Sequence, residues 1–324
     1  MVKADAYGLG AVPVARALEV VEPWGYGVGT IAEGSALRAA GIRRPILVLT
    51  PAALDLEPAY RAHDLRAVLD DPDAAARWTL PFHLEIDTGM ARAGIRWDDS
   101  ERLASVTSAR LEGAFTHFHS ADTDPASVRE QWSRFQQAVV RLGRRPAMLH
   151  AANSAGIWRL GERTDLVRPG IFLYGGRAGV DLPAPHQVAT LRAPVVSLRT
   201  IRAGDPVSYG AAWRAAAPTR IATLGVGYCD GVPRSVHGPA QALLGGQRCR
   251  IVGRVTMDMT MVAVPPERAA SVRVGDVATL FGGEGEGAIT LDEFAGWAGT
   301  ISYEILTGLG SRLPREYREA TGAN

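Results

Sequence analysis

Cysteine is nearly missing from this chain of 324 residues, with Cys229 and Cys249 the only two. They could pair with each other, but they form no CxxC or repeated spacing, so neither a disulfide framework nor a zinc site is supported, and a reducing compartment is the default. An excess of one charge is missing as well. Lysine plus arginine number 35 against 34 for aspartate plus glutamate, and no stretch gathers the positive charge, which disfavours a nucleic-acid partner. Although 47% of the residues are apolar, no uninterrupted apolar run reaches the roughly 18 residues of a membrane-spanning helix, so no membrane association is expected. The opening MVKADAYGLG carries charge and turn-prone residues where an export signal would have a hydrophobic core. A soluble, cytoplasmic protein of one large or two ordinary domains is expected.

What the chain does have is glycine (36) and proline (20), falling between periodic segments. Up to about residue 188, short β-branched or aromatic runs alternate with amphipathic helical stretches, a βα repeat. Candidate strands are Tyr26–Gly29, Pro45–Leu49, Arg66–Leu69, Phe82–Ile86, Gly113–His117, Ala147–His150 and Leu166–Arg168, with helices around 11–22, 31–40, 99–108 and 125–142. An eight-stranded βα barrel needs one strand more, and Met1–Val2–Lys3 looks like the last residues of it. A barrel short of a strand exposes two unpaired edges. The expectation is therefore that the chain starts inside a longer reading frame, or that the first strand is lost; the alternative architecture is an open doubly wound sheet. From about residue 190, segments such as LRAPVVSLRTI, RIATLGV, MTMVAV and VGDVATLFG read as a small all-β domain, with one short amphipathic helix at 291–299. The expected division is 1–188 and 189–324.

Lys3 falls at the end of a barrel strand, the face on which barrels build their active sites. An amine partly desolvated there can lose its proton and attack an aldehyde, forming a Schiff base; a plain surface lysine is the competing reading. The segments HLEIDTGMARAG (83–94), FTHFHSAD (115–122), HAANSAG (150–156) and LVRPGIFLYGG (166–176) each place polar groups just after an apolar run. Ser154, Gly170 and Ile171 follow the last two strands, where barrels often hold phosphate through loop amides. Ordinary turn chemistry would account for either segment alone.

Taken in order, VKADAYGLG, DTGMARAG, ANSAG, VRPGI, VSYGAAW, GVGYCDG and GRVTMDM resemble the successive signatures of alanine racemases over residues 2 to 259. The resemblance implies a pyridoxal 5'-phosphate enzyme with an N-terminal eight-stranded (TIM-type) barrel, a mainly β C-terminal domain and a head-to-tail homodimer with shared active sites. It implies that Lys3 holds the cofactor as an internal aldimine and that Tyr209, supplied by the other subunit, is the opposing base. Two positioned groups can then handle one proton on opposite faces of the substrate. Arg168 would face the pyridine nitrogen, which stays largely unprotonated because a guanidinium does not give up a proton near neutral pH. Tyr7, Ser154, Gly170 and Ile171 match phosphate contacts. His117 matches a histidine linking the arginine to the tyrosine, or is a satisfied core histidine. Arg92 and Met257 match positions that engage the substrate carboxylate, Tyr228 would line the entrance, and Asp258 is a supporting residue.

Two positions depart from the family. Glu85 stands where many relatives carry a lysine that becomes carbamylated, and it would supply the anion that orients Arg92 directly. Ser311 replaces a tyrosine that binds phosphate in some relatives, with a shorter reach. Relatives also carry roughly 35 residues before the cofactor lysine. The reaction implied is interconversion of L- and D-alanine, supplying a peptidoglycan precursor. Racemisation of serine or another small amino acid, or a cofactor-binding protein without activity, are the alternatives.

Overall fold

The computed structural model describes residues 1–318 apart from 284 and 286, and the chain divides into two compact units. Unit 1 comprises Met1–Phe172 with Ala178–Pro183; unit 2 comprises Leu173–Arg177 and the chain from Ala184 onward.

Unit 1 is built on strands β1 (Tyr26–Val28), β2 (Ile46–Pro51), β3 (Arg66–Leu69), β4 (Phe82–Asp87), β5 (Ile95–Arg96), β6 (Leu111–Phe115) and β7 (Met148–His150). All pair in parallel in the order β1-β2-β3-β4-β6-β7, with β5 beside the end of β4 and a single bridge carrying the curl on from His150 to Leu166. Apart from the two-residue β5, which the sequence reading did not include, these are the strands read from the sequence, except that the Leu166 segment is one bridge rather than a strand. Helices cover the outside. Four lie where the periodicity put them, at Ala11–Leu18, Ile31–Ala39, Ser100–Ala104 and Pro125–Arg141; the second begins with a Thr30–Glu33 capping box and the last with Asp124 accepting from the Ala126 amide. Glu57–Ala62 and Pro72–Arg77 are further short helices that the sequence did not announce.

The curled sheet explains an odd feature of β4. Its sequence, FHLEID, alternates apolar and polar residues as a half-solvated strand would, yet residues 82 to 86 are all buried. In a barrel-like sheet one face meets helices and the other meets the interior, so both are covered. The interior is apolar around Leu47, Val68 and Phe115 and polar around His83, Glu85, His150 and Arg168. At the rim, the Val2 amide donates to Gly27 O (2.9 Å) and Met1 N donates to Pro169 O (3.0 Å), so the first residues reach both β1 and the segment after Leu166.

Unit 2 is a closed antiparallel barrel. Its strands are β8 (Leu191–Ile201), β11 (Thr219–Leu224), β12 (Gln241–Leu244), β13 (Gln247–Ile251), β14 (Thr260–Val264) and β15 (Val277–Phe281), ordered β11-β14-β13-β12-β15-β8, beside a small pair of β9 (Pro206–Val207) and β10 (Trp213–Arg214). Closure removes the edges that short strands would otherwise expose. Strand β8 alternates buried and exposed residues from Leu191 through Val195, as a one-sided sheet requires. Helices Leu291–Ala298 and Ser302–Thr307 follow. Cys229 and Cys249 are unpaired thiols. No helix of the described residues is long and apolar enough to cross a membrane.

Candidate active site

Lys3 opens a turn of unusual hand. Ala4, Asp5, Ala6 and Tyr7 all have φ between 53° and 57°, one turn of left-handed helix, which costs about 1–2 kcal/mol for each L-residue in it. The surroundings hold it in place. The Ala4 amide donates to Glu33 Oε1 (2.7 Å), the Asp5 carboxylate accepts from the Ala11 amide (2.7 Å), and Gly8 and Gly10 donate to the carbonyls of Ala4 and Asp5 (2.8 Å each). Glu33 is itself fixed by the capping box and by the Gly29 amide at 2.6 Å. Val2, fully buried, anchors the other side of the lysine. Lys3 is itself an exposed residue, but the structure around its amine partly desolvates it and lowers its pKa below the ordinary lysine value; Arg92 and Arg168 push the same way and Glu33 opposes them.

Beside it lies a cradle for an anion. Gly170 abuts the buried Tyr7 so closely that a Cβ there would fall 2.4 Å from the phenolic oxygen. The Gly170 amide donates to Ser154 Oγ (2.9 Å) and the Phe172 amide reaches the same oxygen at 3.4 Å. Ile171 is fully buried, and its N–H has no acceptor among the described residues. A phenol, a hydroxyl and loop amides thus gather at one place, and buried amides without acceptors are the donors an anion would satisfy.

Arg168 is buried in the polar part of the barrel interior. Its Nη1 donates to His150 Nδ1 (2.7 Å), its Nη2 to the carbonyls of Thr116 (2.8 Å) and Ala151 (3.1 Å), and its guanidinium lies 5.0 Å over the Phe115 ring. Nε–H has no acceptor among the described residues. Burial lowers its pKa to about 10, with Glu85 opposing and Arg92 assisting, so the side chain stays cationic at neutral pH. His117 Nδ1 is 3.5 Å from Arg168 Nη2. Burial first, then Arg168, Arg92 and Lys3, hold the His117 pKa down at about 3, so that imidazole is neutral. Glu85 is buried and its Oε1 lies 3.7 Å from Arg92 Nη2, within ion-pair range but too long for a hydrogen bond. Burial raises its pKa, against the pull of Arg92 and Arg168.

Lys3, Tyr7, Glu85, Arg92, His117, Ser154, Arg168, Gly170 and Ile171 all belong to unit 1; Tyr209, Tyr228, Met257, Asp258 and Ser311 all belong to unit 2. Tyr209 is 69% exposed, on a turn whose preceding residue, Ser208, has φ 64° and donates its hydroxyl to Arg254 O (2.7 Å). Gly253 leaves room for that turn, since a Cβ there would fall 2.8 Å from Ser208, and so the VSYGAAW and GRVTMDM segments meet. The Tyr228 amide donates to Thr256 O and the Cys229 amide to Met257 O (3.0 Å each). Arg312 joins Asp258 (2.8 Å) to the buried Asp230 (3.0 Å). Ser311 is the exposed residue next to it.

Three residues in this arrangement carried no role in the sequence reading. His150 is the direct partner of Arg168, Glu33 pins the turn after Lys3, and Arg312 ties Asp258 down. The signal for His150 was its place beside Arg168 at the ends of neighbouring strands; nothing local marked Glu33 or Arg312. An amine of lowered basicity, a buried guanidinium with a free Nε–H and an anion cradle match the aldehyde, ring nitrogen and phosphate of pyridoxal phosphate. The residues fit that group.

Comparison with known proteins points the same way. Residues 1–178 match the family model described as alanine racemase, N-terminal domain, and residues 188–317 the one described as alanine racemase, C-terminal domain. The alanine racemase of Symbiobacterium thermophilum is 40% identical over 341 residues, covering 98% of this chain and 89% of the relative; that of Carboxydothermus hydrogenoformans is 39% identical over 338 residues, covering 98% and 91%. Among solved structures, alanine racemase from E. faecalis superposes with a TM-score of 0.88 at 31% identity, covering 98% of this chain and 90% of that one. Alanine racemase from Bacillus anthracis with bound L-Ala-P gives 0.88 at 31%, covering 99% and 88%.

Proposed function

The chain belongs to the alanine racemase family, and on that premise we propose that it interconverts L-alanine and D-alanine with pyridoxal 5'-phosphate, using Lys3 and Tyr209 as the two bases. The observation that carries the reading is the grouping on one unit of the partly desolvated Lys3 amine, the Arg168 guanidinium whose Nε–H has no acceptor among the described residues, and the cradle of Tyr7, Ser154, Gly170 and Ile171. Lys3 would hold the cofactor through Nζ, Arg168 would meet its ring nitrogen, and the cradle would hold its phosphate. When bound, pyridoxal phosphate delocalises the electron pair left behind when the substrate's α proton departs.

The chain's own groups handle the proton. Lys3 Nζ takes or returns it on one face, and a lowered pKa lets the amine act as a base near neutrality. Tyr209 Oη does the opposite on the other face. Its exposure within unit 2 suits a residue that completes the site of a second copy of the chain, so the working form is a head-to-tail homodimer with two shared sites. Arg92, together with the Met257 amide, would orient the substrate carboxylate, with Glu85 holding Arg92 and Arg312 holding Asp258 beside Met257. Tyr228 would line the entrance, and Ser311 would add a hydroxyl to the phosphate. His117, neutral, would stand between Arg168 and Tyr209. The unpaired thiols fit a cytoplasmic enzyme, and D-alanine would serve as a peptidoglycan precursor.

A chiral assay on the purified holoenzyme with L-alanine, D-alanine and L-serine tests the reading. Turnover of both alanine enantiomers is expected, falling about 100- to 10,000-fold in Lys3→Ala and in Tyr209→Phe. Alanine turnover that survives both changes would refute the two-base assignment.

A further inference from the structure

Beneath Arg168 the buried polar side chains stand in single file. Arg168 Nη1 is 2.7 Å from His150 Nδ1 and His150 Nε2 is 2.7 Å from His83 Nδ1, while His83 Nε2, which makes no hydrogen bond among the described residues, lies in ion-pair range of Glu112 Oε2 at 3.5 Å. Glu112, partly exposed at the far end, also meets Arg66 Nε at 3.3 Å. His83 and His150 are almost completely buried. Their seats are shaped for them: Phe115 stacks on His150 at 4.9 Å, and a Cβ on Gly113 would fall 2.5 Å from His83 Nδ1.

Donor chemistry fixes the direction of the file. A guanidinium only donates, so His150 Nδ1 accepts from Arg168. Burial, then Arg168 and His83, lower the pKa of His150 well below the usual value, so the ring is neutral and its one proton sits on Nε2, directed at His83 Nδ1. Burial holds His83 neutral too, so its proton sits on Nε2, toward Glu112. Glu112 stays ionised, its pKa lowered first by His83 and then, against burial, by Arg66.

We infer that Glu112, His83 and His150 are positioning residues that weaken the hydrogen bond Arg168 offers the cofactor's ring nitrogen. The carboxylate facing His83 Nε2–H across 3.5 Å polarises that neutral ring and makes its Nδ1 a better acceptor, and the two 2.7 Å hydrogen bonds pass the effect through His150 to Arg168, because polarised hydrogen bonds reinforce one another. His150 then draws harder on the Nη1–H of Arg168. The guanidinium shares a single positive charge among its five N–H groups, so stronger donation through Nη1 leaves weaker donation through Nε. The ring nitrogen is thereby kept from approaching the protonated state. This inference rests on the assignment of Arg168 to the ring nitrogen.

Nitrogen NMR on the holoenzyme tests it in two ways. With labelled histidine, His83 and His150 are expected as neutral rings protonated on Nε2. With the pyridine nitrogen of bound pyridoxal phosphate labelled, its resonance is expected to move upfield, toward the protonated position, in both Glu112→Gln and His83→Leu. His83→Gln, whose carbonyl can accept from His150, is expected to restore the wild-type position. A proton on Nδ1 of either histidine, or an unmoved ring resonance in Glu112→Gln, overturns the inference. So does a shift in Glu112→Gln that His83→Leu does not reproduce, since the carboxylate would then act through space and not along the file. If His83→Leu fails to fold, Glu112→Gln and the two tautomers still decide. Failure of the cofactor to bind would count against the assignment of Arg168, while the tautomers, read on the protein's own rings, judge the file separately.

Discussion

Replacing Gly170 by alanine should disable the cradle through a single clash, and the structure says with which atom. The new Cβ would lie 2.4 Å from the Tyr7 hydroxyl oxygen but 3.2 Å from Tyr7 Cζ, a tight yet tolerable contact. Tyr7 is buried, so it cannot swing aside freely, and forcing extra volume into a packed site costs about 1–3 kcal/mol. Gly170 is not among the residues of positive φ, so alanine there restricts the unfolded chain and returns about 0.4–1 kcal/mol. The net loss should be about 1–2 kcal/mol. Tyr7→Phe removes the offending oxygen, and in the double variant most of the loss should be recovered. Urea midpoints of the four cofactor-free proteins close a double-mutant cycle, in which any other interaction of the hydroxyl cancels. A coupling energy of about 1–2 kcal/mol is expected; one below about 0.5 kcal/mol, the usual scatter for independent sites, would show that Tyr7 and Gly170 do not meet as described.

Two other substitutions probe the positions where the chain departs from its relatives. Burial raises the Glu85 pKa above 4.5, so this carboxyl contributes stability that is complete below the unfolded value and is lost as pH rises through the folded one. Glu85→Gln should therefore gain on wild type in thermal melts as pH climbs from about 4.5 toward neutrality, while KM for alanine rises because Arg92 has lost its anion; melting curves that stay parallel across that range would contradict the sign. Ser311→Ala should weaken pyridoxal phosphate binding in an absorbance titration, and unchanged affinity would reject a direct contact.

Much of the architecture was legible because period and punctuation agree. The run LRAPVVSLRTI gives β8 with its observed ends, and the Phe82–Ile86 run gives β4 to within a residue. The places of Ser154 and Gly170 after strands marked them as candidates together, whereas Tyr7 joined them only through the family resemblance. What escaped notice depended on closure or on backbone hand. His83 and Glu85 alternate with apolar neighbours as solvent-facing residues do, and only a curled sheet turns that polar face inward. Nothing in the letters Ala4, Asp5, Ala6 and Tyr7 signals positive φ, since none is glycine; only Gly8 and Gly10 hint that the chain bends sharply afterward. The Leu166 segment reads as a strand but keeps one bridge, because Pro169 has no N–H to continue a ladder.

The reversed coil after Lys3 has a consequence for how that amine can fail. Ordinary helical turns fray by degrees, because each residue can slip into a neighbouring well of similar energy. Four side-chain-bearing residues wound the wrong way each carry strain of about 1–2 kcal/mol, so losing a restraint on one removes support from all four. The lysine's location thus depends on restraints that act together, the Asp5, Gly8 and Gly10 bonds within the turn and Glu33, a carboxylate on a different helix.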